Sequence, residues 1–186
     1  MRRIPILGIL VPLSMGVILA GALTVRPAAS QTKAPAPADP WARLNFLVGE
    51  WRGVGTGAPG EAVGGTSFAF GLDKKILVRK NWANYPPKPG ESAGLCHEDL
   101  MIIYPASGGA PFRAIYFDNE GHVISYAVTM PNKGNAALFE TDAGQPGPRF
   151  RLTYELKAAG LLENVFLIAP PGGAFKVYVQ GSLRKK

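Results

Sequence analysis

Two histidines and a run of carboxylates are the first candidates for chemistry. His97 and Asp99 form one group in the chain, and Asp118, Glu120 and His122 form another. Imidazole beside carboxylate can hold a metal ion or move a proton as an acid/base pair. The spacing lacks the His-x-His or His-x3-His form of strong zinc sites, so no metal is expected. Asp118-Asn119-Glu120-Gly121 is also good turn chemistry, and charges at a turn are usually solvated. A functional rim and a solvated turn stay open as alternatives.

Arginines form the second group. In barrels that bind acids, an interior arginine holds a carboxylate, aided by tyrosine hydroxyls. Arg79 shares a strand face with Leu77 and Tyr85, and Arg113 with Ile115 and Phe117. Both are candidates for a polar group inside an apolar cavity. Arg151 alternates with Phe150 and Leu152, so it points outward when the apolar face points in. For each the plain alternative is a surface arginine, because arginine is rarely buried without a partner. Tyr116 and Trp51 belong to a plentiful aromatic set that either fills a core or lines a cavity. No G-x-S-x-G, P-loop or Rossmann glycine pattern is present. Gly53-Val54-Gly55-Thr56-Gly57 precedes no helix and is no nucleotide loop.

These residues must be carried by strands. After Gly49 turn-forming clusters recur at 59–60, 73–74, 86–90, 108–109, 119–121, 132–134, 144–148, 159–160 and 170–173. They separate roughly ten segments, several with strict alternation, such as Phe150-Arg151-Leu152-Thr153-Tyr154-Glu155-Leu156. No helical pattern long enough for a parallel crossover follows Gly49, so the sheet is expected to be antiparallel. Sequential strands with short turns describe an up-and-down barrel, with a two-sheet sandwich as competitor. If Tyr104 pairs with Phe112, His97 falls opposite Asn119, and Asp118 meets His122 across the next turn. The histidines and carboxylates then gather at one rim.

Ahead of the strands, Asp39-Pro40 opens a short helix, since Asp caps free N–H groups and Pro suits the first turn. Trp41, Leu44, Leu47 and Val48 form its apolar stripe, fit to plug one barrel end. Residues 31–38 read as a Pro/Ala linker. Residues 1–30 read as an export signal: Arg2-Arg3, an uncharged run over 4–25, then Ala28-Ala29-Ser30 before the cut. An uncleaved anchor is the alternative, because the run is long enough to span a bilayer. A periplasmic or secreted protein is expected, touching a membrane only through an uncleaved leader. Cleavage removes Arg2, Arg3 and Arg26 from a formal net charge of +7. Apart from Arg184-Lys185-Lys186 at the tail, a short run of the kind that is usually just solvated, the remaining basic residues are scattered, which argues against a nucleic-acid partner. The single cysteine, Cys96, allows no internal disulfide.

Gly49-Glu50-Trp51-Arg52-Gly53-Val54-Gly55 reads G-x-W-x-G-x-G just after the plug. It resembles the first strand of calycin-type barrels, in particular nitrobindin-like and related bacterial lipocalin-like domains of unknown function. His97-Glu98-Asp99-Leu100-Met101 and the stretch from Tyr116 to Ile124 are similar to their central hairpins. The resemblance implies a calycin barrel over 44–183, with Trp51 packed at its closed end. Nitrobindin-like proteins hold haem through a histidine near the C-terminal end of the barrel. No histidine follows His122 here, so haem is not carried over and no cofactor is expected, with haem held through Tyr178 or His122 as the alternative.

The expectation is therefore an all-β, roughly ten-stranded antiparallel up-and-down barrel over 39–186 with a short N-terminal plug helix. It would bind a small, largely apolar or aromatic ligand through Trp51, Arg79, His97, Arg113, Tyr116 and His122. An enzyme working at the histidine rim and a structural envelope protein with a filled barrel are the alternatives.

Overall fold

The computed structural model describes residues 39–107, 112–131, 134–142, 144 and 146–186. The leader and linker expected over 1–38 lie outside them. Ten strands follow one another: β1 (Gly49–Gly57), β2 (Ala62–Gly71), β3 (Ile76–Tyr85), β4 (Leu95–Pro105) and β5 (Phe112–Asp118). The second half holds β6 (Val123–Thr129), β7 (Ala136–Glu140), β8 (Arg149–Ala158), β9 (Leu161–Ala169) and β10 (Lys176–Lys185). Each pairs antiparallel with its successor, and β10 returns to β1, so the sheet closes into a barrel. Closure leaves no edge strand to template association.

Closure needs a tight seam. Gly53 sits opposite Leu183 across β1 and β10. A Cβ at Gly53 would lie 1.9 Å from the Ser182 carbonyl oxygen, so only glycine lets the two backbones meet. Trp51 is buried and its Nε1 donates to the Leu47 carbonyl at 2.8 Å, which ties β1 to the segment before it.

That segment is the plug, in a shorter form than expected. Residues 40–44 form turns and only Asn45–Leu47 make one 3-10 turn. Asp39 Oδ1 accepts from the Trp41 amide at 2.9 Å, the cap that the sequence implied. Trp41, Leu44 and Leu47 are fully buried. The Trp41 ring stacks on Phe112 at 4.4 Å and meets Phe70 edge-on, and its Nε1 donates to the Lys74 carbonyl at 2.8 Å. Arg43 donates to the carbonyls of Met130 and Pro131. Contacts to the β2–β3, β4–β5 and β6–β7 ends place the plug across one mouth. Below it Phe68, Leu77, Met101, Ile103, Tyr126, Phe139 and Tyr154 fill that half of the barrel. Among the described residues no helix is long and apolar enough to cross a membrane.

Two sequence expectations need correction. Tyr104 pairs with Arg113, not Phe112, and Pro105 takes Phe112. The one-residue shift puts Asp99 opposite Asp118. It also brings His97 to Glu120, while Asn119 serves the neighbouring Glu98 amide. Arg113 also points the other way. On β5 the buried residues are Phe112 and Ala114, so Tyr116 faces in and Arg113, Ile115 and Phe117 face out.

Candidate functional site

The half of the barrel away from the plug is not filled. A cavity of about 430 Å³ opens between the β1–β2, β3–β4, β5–β6 and β9–β10 connections. Space exists there because β1 and β2 turn Gly53, Gly55, Ala62 and Gly64 inward in place of large side chains. A second, shallower depression lies on the outer wall beside Arg52, Lys80, Trp82 and Phe117 and is open to solvent.

The interior cavity has two unlike sides. One side comes from β8 to β10 together with β6: Ile124, Phe150, Leu152, Phe166, Ile168 and Tyr178. Phe150 and Phe166 lie nearly parallel with centroids 6.0 Å apart, and Tyr178 meets Phe166 edge-on at 6.1 Å. The other side comes from β3, β4, β5 and the β5–β6 turn: Arg79, Asn81, His97, Asp99, Tyr116, Asp118, Glu120 and His122.

The register explains why the polar side is a network. Asn81 lies opposite Asp99, and Asp99 lies opposite Asp118. Two carboxylates facing each other on one sheet face repel unless each has donors. Asp99 accepts from Arg79 Nη1 at 2.6 Å and from Asn81 Nδ2 at 2.8 Å, with His97 Nε2 at 3.4 Å. Asp118 accepts from Tyr116 Oη at 3.1 Å, His122 Nδ1 at 2.9 Å and the backbone amides of Glu120 and His122 at 3.0 and 2.8 Å. His97 joins the two sets: Nδ1 meets Glu120 at 2.9 Å and Nε2 meets Tyr116 Oη at 3.2 Å.

Protonation follows from this wiring. Asp99, and Glu120 on the other nitrogen, push the His97 pKa up to about 9, against partial burial. His97 is therefore an imidazolium at neutral pH, with both nitrogens as donors. Burial, then the charges of Asp99 and Asp118, raise the Tyr116 pKa and keep its hydroxyl protonated. Burial opposes the charge of Asp118, but the donors from His122 and Tyr116 outweigh it and hold the carboxyl below its usual range. Asp118 is then acceptor-only, so the Nδ1 of His122 must carry the proton. Arg79 is buried. Burial works against its charge, yet Asp99 and the surrounding tyrosines hold its pKa above the ordinary value. Its guanidinium lies 5.6 Å from the centre of the Tyr154 ring, and its Nε has no acceptor among the described residues.

Of the residues singled out by sequence, Arg79, His97, Tyr116 and His122 come together on the polar side. Trp51 and Arg113 do not. Trp51 belongs to the closed-end core, with Lys185 Nζ 5.4 Å from its ring centre. Arg113 makes a bidentate pair with Asp142 on the outer face, at 2.8 and 2.6 Å. Arg151 pairs with Glu140 and lies over Phe175, away from the cavity. Asn81 belongs to the site without being among the sequence candidates, and Asp99, expected at the rim, is the partner of Arg79. The alternation Leu77, Arg79, Asn81 was the available signal, but its use required the β3–β4 register.

Comparison with known proteins bears on the fold. Among solved structures the chain is similar to Rv2717c from M. tuberculosis, at 12% identity and a TM-score of 0.56, over 81% of this chain and 99% of that one. The fold is a calycin-like barrel. At that identity the likeness speaks to fold alone. A protein of unknown function of the DUF3598 family from Nostoc punctiforme PCC 73102 aligns over 81% of this chain and 100% of that one. Its 8% identity and TM-score of 0.28 are too low to weigh. No protein-family model matches the chain, and no curated protein matches it.

Proposed function

We propose that this calycin-like barrel is an exported binding protein for a small, neutral, largely aromatic molecule with polar groups along one edge. The observation that carries the reading is the two-sided cavity. A volume near 430 Å³ lies in the range of small-ligand sites. The Phe150, Phe166 and Tyr178 side offers flat apolar contact, with the edge-on and offset geometries that aromatic rings favour. The opposite side offers hydrogen-bonding groups.

Charge supports a neutral ligand. Arg79 is matched by Asp99 and His97 by Glu120, and Asp118 has four donors. Each cation on that side is already matched by a carboxylate, so an acid headgroup is not what this wall selects. Within calycins the G-x-W-x-G-x-G strand favours a nitrobindin-like relative. That family's own haem ligand has no counterpart, because β9 and β10 offer Phe166, Ile168, Tyr178 and Val179 to the cavity and no imidazole. Export rests on the leader-like residues 1–30.

Native mass spectrometry with an absorption spectrum, on protein purified from a bacterial periplasm, tests the reading. A reproducible mass excess is expected, with an aromatic absorption that is lost in Phe166→Ala. An apo mass that stays apo when the protein is offered a panel of hydroxylated and carbonyl-bearing aromatics would refute it.

A further inference from the structure

The polar side of the cavity is a directed chain of hydrogen bonds as well as a surface. With His97 charged, its Nε2–H donates to Tyr116 Oη, and the Tyr116 hydroxyl donates in turn to Asp118 Oδ2. From the other side His122 Nδ1–H donates to the same oxygen. In the neutral form of His122 the lone pair must then sit on Nε2, which has no partner among the described residues. His122 lies at the mouth with its side chain 60% exposed, while the Asp118 carboxylate that orients it is 4% exposed. A buried carboxylate fixing the tautomer of an accessible imidazole is the arrangement of a general base. The Tyr116 hydroxyl, backed by an imidazolium, is a proton donor anchored on the same carboxylate oxygen. The two histidines thus have opposite roles, set by their neighbours.

We propose that this mouth interconverts the keto and enol forms of small aromatic ketones that enter the cavity, with His122 as base and Tyr116 as acid. The proposal rests on the aromatic-ligand reading above. In the forward step His122 Nε2 takes a proton from the carbon next to the carbonyl. The C–H electron pair becomes the new C=C bond, and the carbonyl π pair moves onto oxygen. That oxygen receives the Tyr116 proton, and His97 Nε2–H replaces it on the tyrosine. Asp118 loses the Tyr116 donor but keeps the two backbone amides and gains a full charge on His122, so its hydrogen bonding survives the step. Reversal from solvent returns His97 and His122 to their starting forms. Nothing is oxidised or reduced, and no co-reactant is needed. The β8–β10 aromatics hold the ring of the ketone, and the Glu120–His97 link holds the acid end in place.

The test is deuterium exchange in D₂O, followed by proton NMR, with acetophenone, 4-hydroxyacetophenone and 2-tetralone as probes. Binding of each probe is measured in parallel by quenching of tryptophan fluorescence. The expected result is exchange at the carbon next to the carbonyl faster than in buffer. Loss of a general base typically lowers a rate by about 10² to 10⁴-fold. In His122→Ala, probe that the quenching shows to be bound should therefore exchange at the buffer rate, and added imidazole should restore part of the exchange. Tyr116→Phe should slow exchange of bound probe. Bound probes that exchange at the buffer rate, or a His122→Ala variant as fast as the parent, would overturn the acid/base assignment and leave the binding reading standing. Failure of all three probes to bind would count against both.

Discussion

Replacing Asp99 by Asn leaves a charged guanidinium buried without its counter-ion. Arg79 is 4% exposed and Asp99 8%, and they meet at 2.6 Å. Breaking a buried pair by removing one partner costs about 3–5 kcal/mol. Asn keeps the shape of Asp, so the contact with Asn81 can re-form, and the lower end, about 3 kcal/mol, is the appropriate figure. Arg79 Nε already has no acceptor among the described residues, so the loss of Asp99 removes the one carboxylate paired with the guanidinium there. Against a usual domain stability of about 5–15 kcal/mol this is a large fraction. For a domain of this size it lowers Tm by roughly 6–12 °C. Urea unfolding followed by the fluorescence of buried Trp41 and Trp51 measures it. The double variant Arg79→Met/Asp99→Leu removes both charges together and should recover most of the loss, since apolar replacement of a buried pair is often neutral. An Asp99→Asn variant within about 1 kcal/mol of the parent would show that the guanidinium does not depend on Asp99. A double variant as unstable as the single would show that shape, not charge, holds the site.

The raised pKa of His97 makes stability depend on alkaline pH. Its folded value of about 9 exceeds the usual 6.5, so its contribution is complete below about pH 6.5 and is lost as pH rises through about 9. Stability should fall by on the order of 3 kcal/mol between pH 6 and 10, and His97→Gln should flatten that part of a urea-midpoint profile. At the barrel seam, Gly53→Ala forces a Cβ against the Ser182 carbonyl and should abolish cooperative unfolding seen by circular dichroism. Gly121→Ala meets no neighbour but requires a φ of +90°, so it should cost only about 1 kcal/mol or a little more.

The strand count was legible because the turns announce themselves. Gly60, Gly121, Gly134, Gly160 and Gly172 all take positive φ, which side-chain-bearing residues rarely adopt. The plug was legible through Asp39, Trp41, Leu44 and Leu47, though 3-10 geometry replaced the expected helix because the segment is too short to nucleate one. What stayed hidden was register. Residues 106–111 contain several small residues and a proline, and their composition does not fix how many of them the turn uses. The error of one residue there hid the meeting of Asp99 with Asp118. Facing failed on β5 for a related reason. Phe112, Ala114 and Tyr116 on one side and Ile115 and Phe117 on the other are both apolar, so alternation alone could not choose. That ambiguity makes an inward Arg113 as reasonable as an outward one, and its partner, Asp142, lies just beyond β7, two strands away.

The division of the cavity follows from the topology. In an up-and-down barrel, neighbours in sequence are neighbours in space, so a contiguous stretch of chain makes a contiguous stretch of wall. Every polar residue of the Arg79–His122 network comes from β3 to the β5–β6 turn, and the large aromatic wall comes mainly from β8 to β10. The two sides can therefore vary separately. Changes at Phe150, Phe166 or Tyr178 alter what fits, and changes at Tyr116, Asp118 or His122 alter what the wall does to it. The opposed carboxylates account for the extent of the network. Asp99 and Asp118 face each other on adjacent strands, so each must recruit its own donors. Asp99 draws Arg79 and Asn81 from β3, and Asp118 draws Tyr116 and His122 from β5 and the turn beyond it. His97 sits where the two sets meet and carries charge because it lies between acidic groups. Removing either aspartate would therefore reach beyond its own partners, and Asp118→Asn should perturb the titration of His97, followed by NMR, through Tyr116 even though Asp118 and His97 share no hydrogen bond.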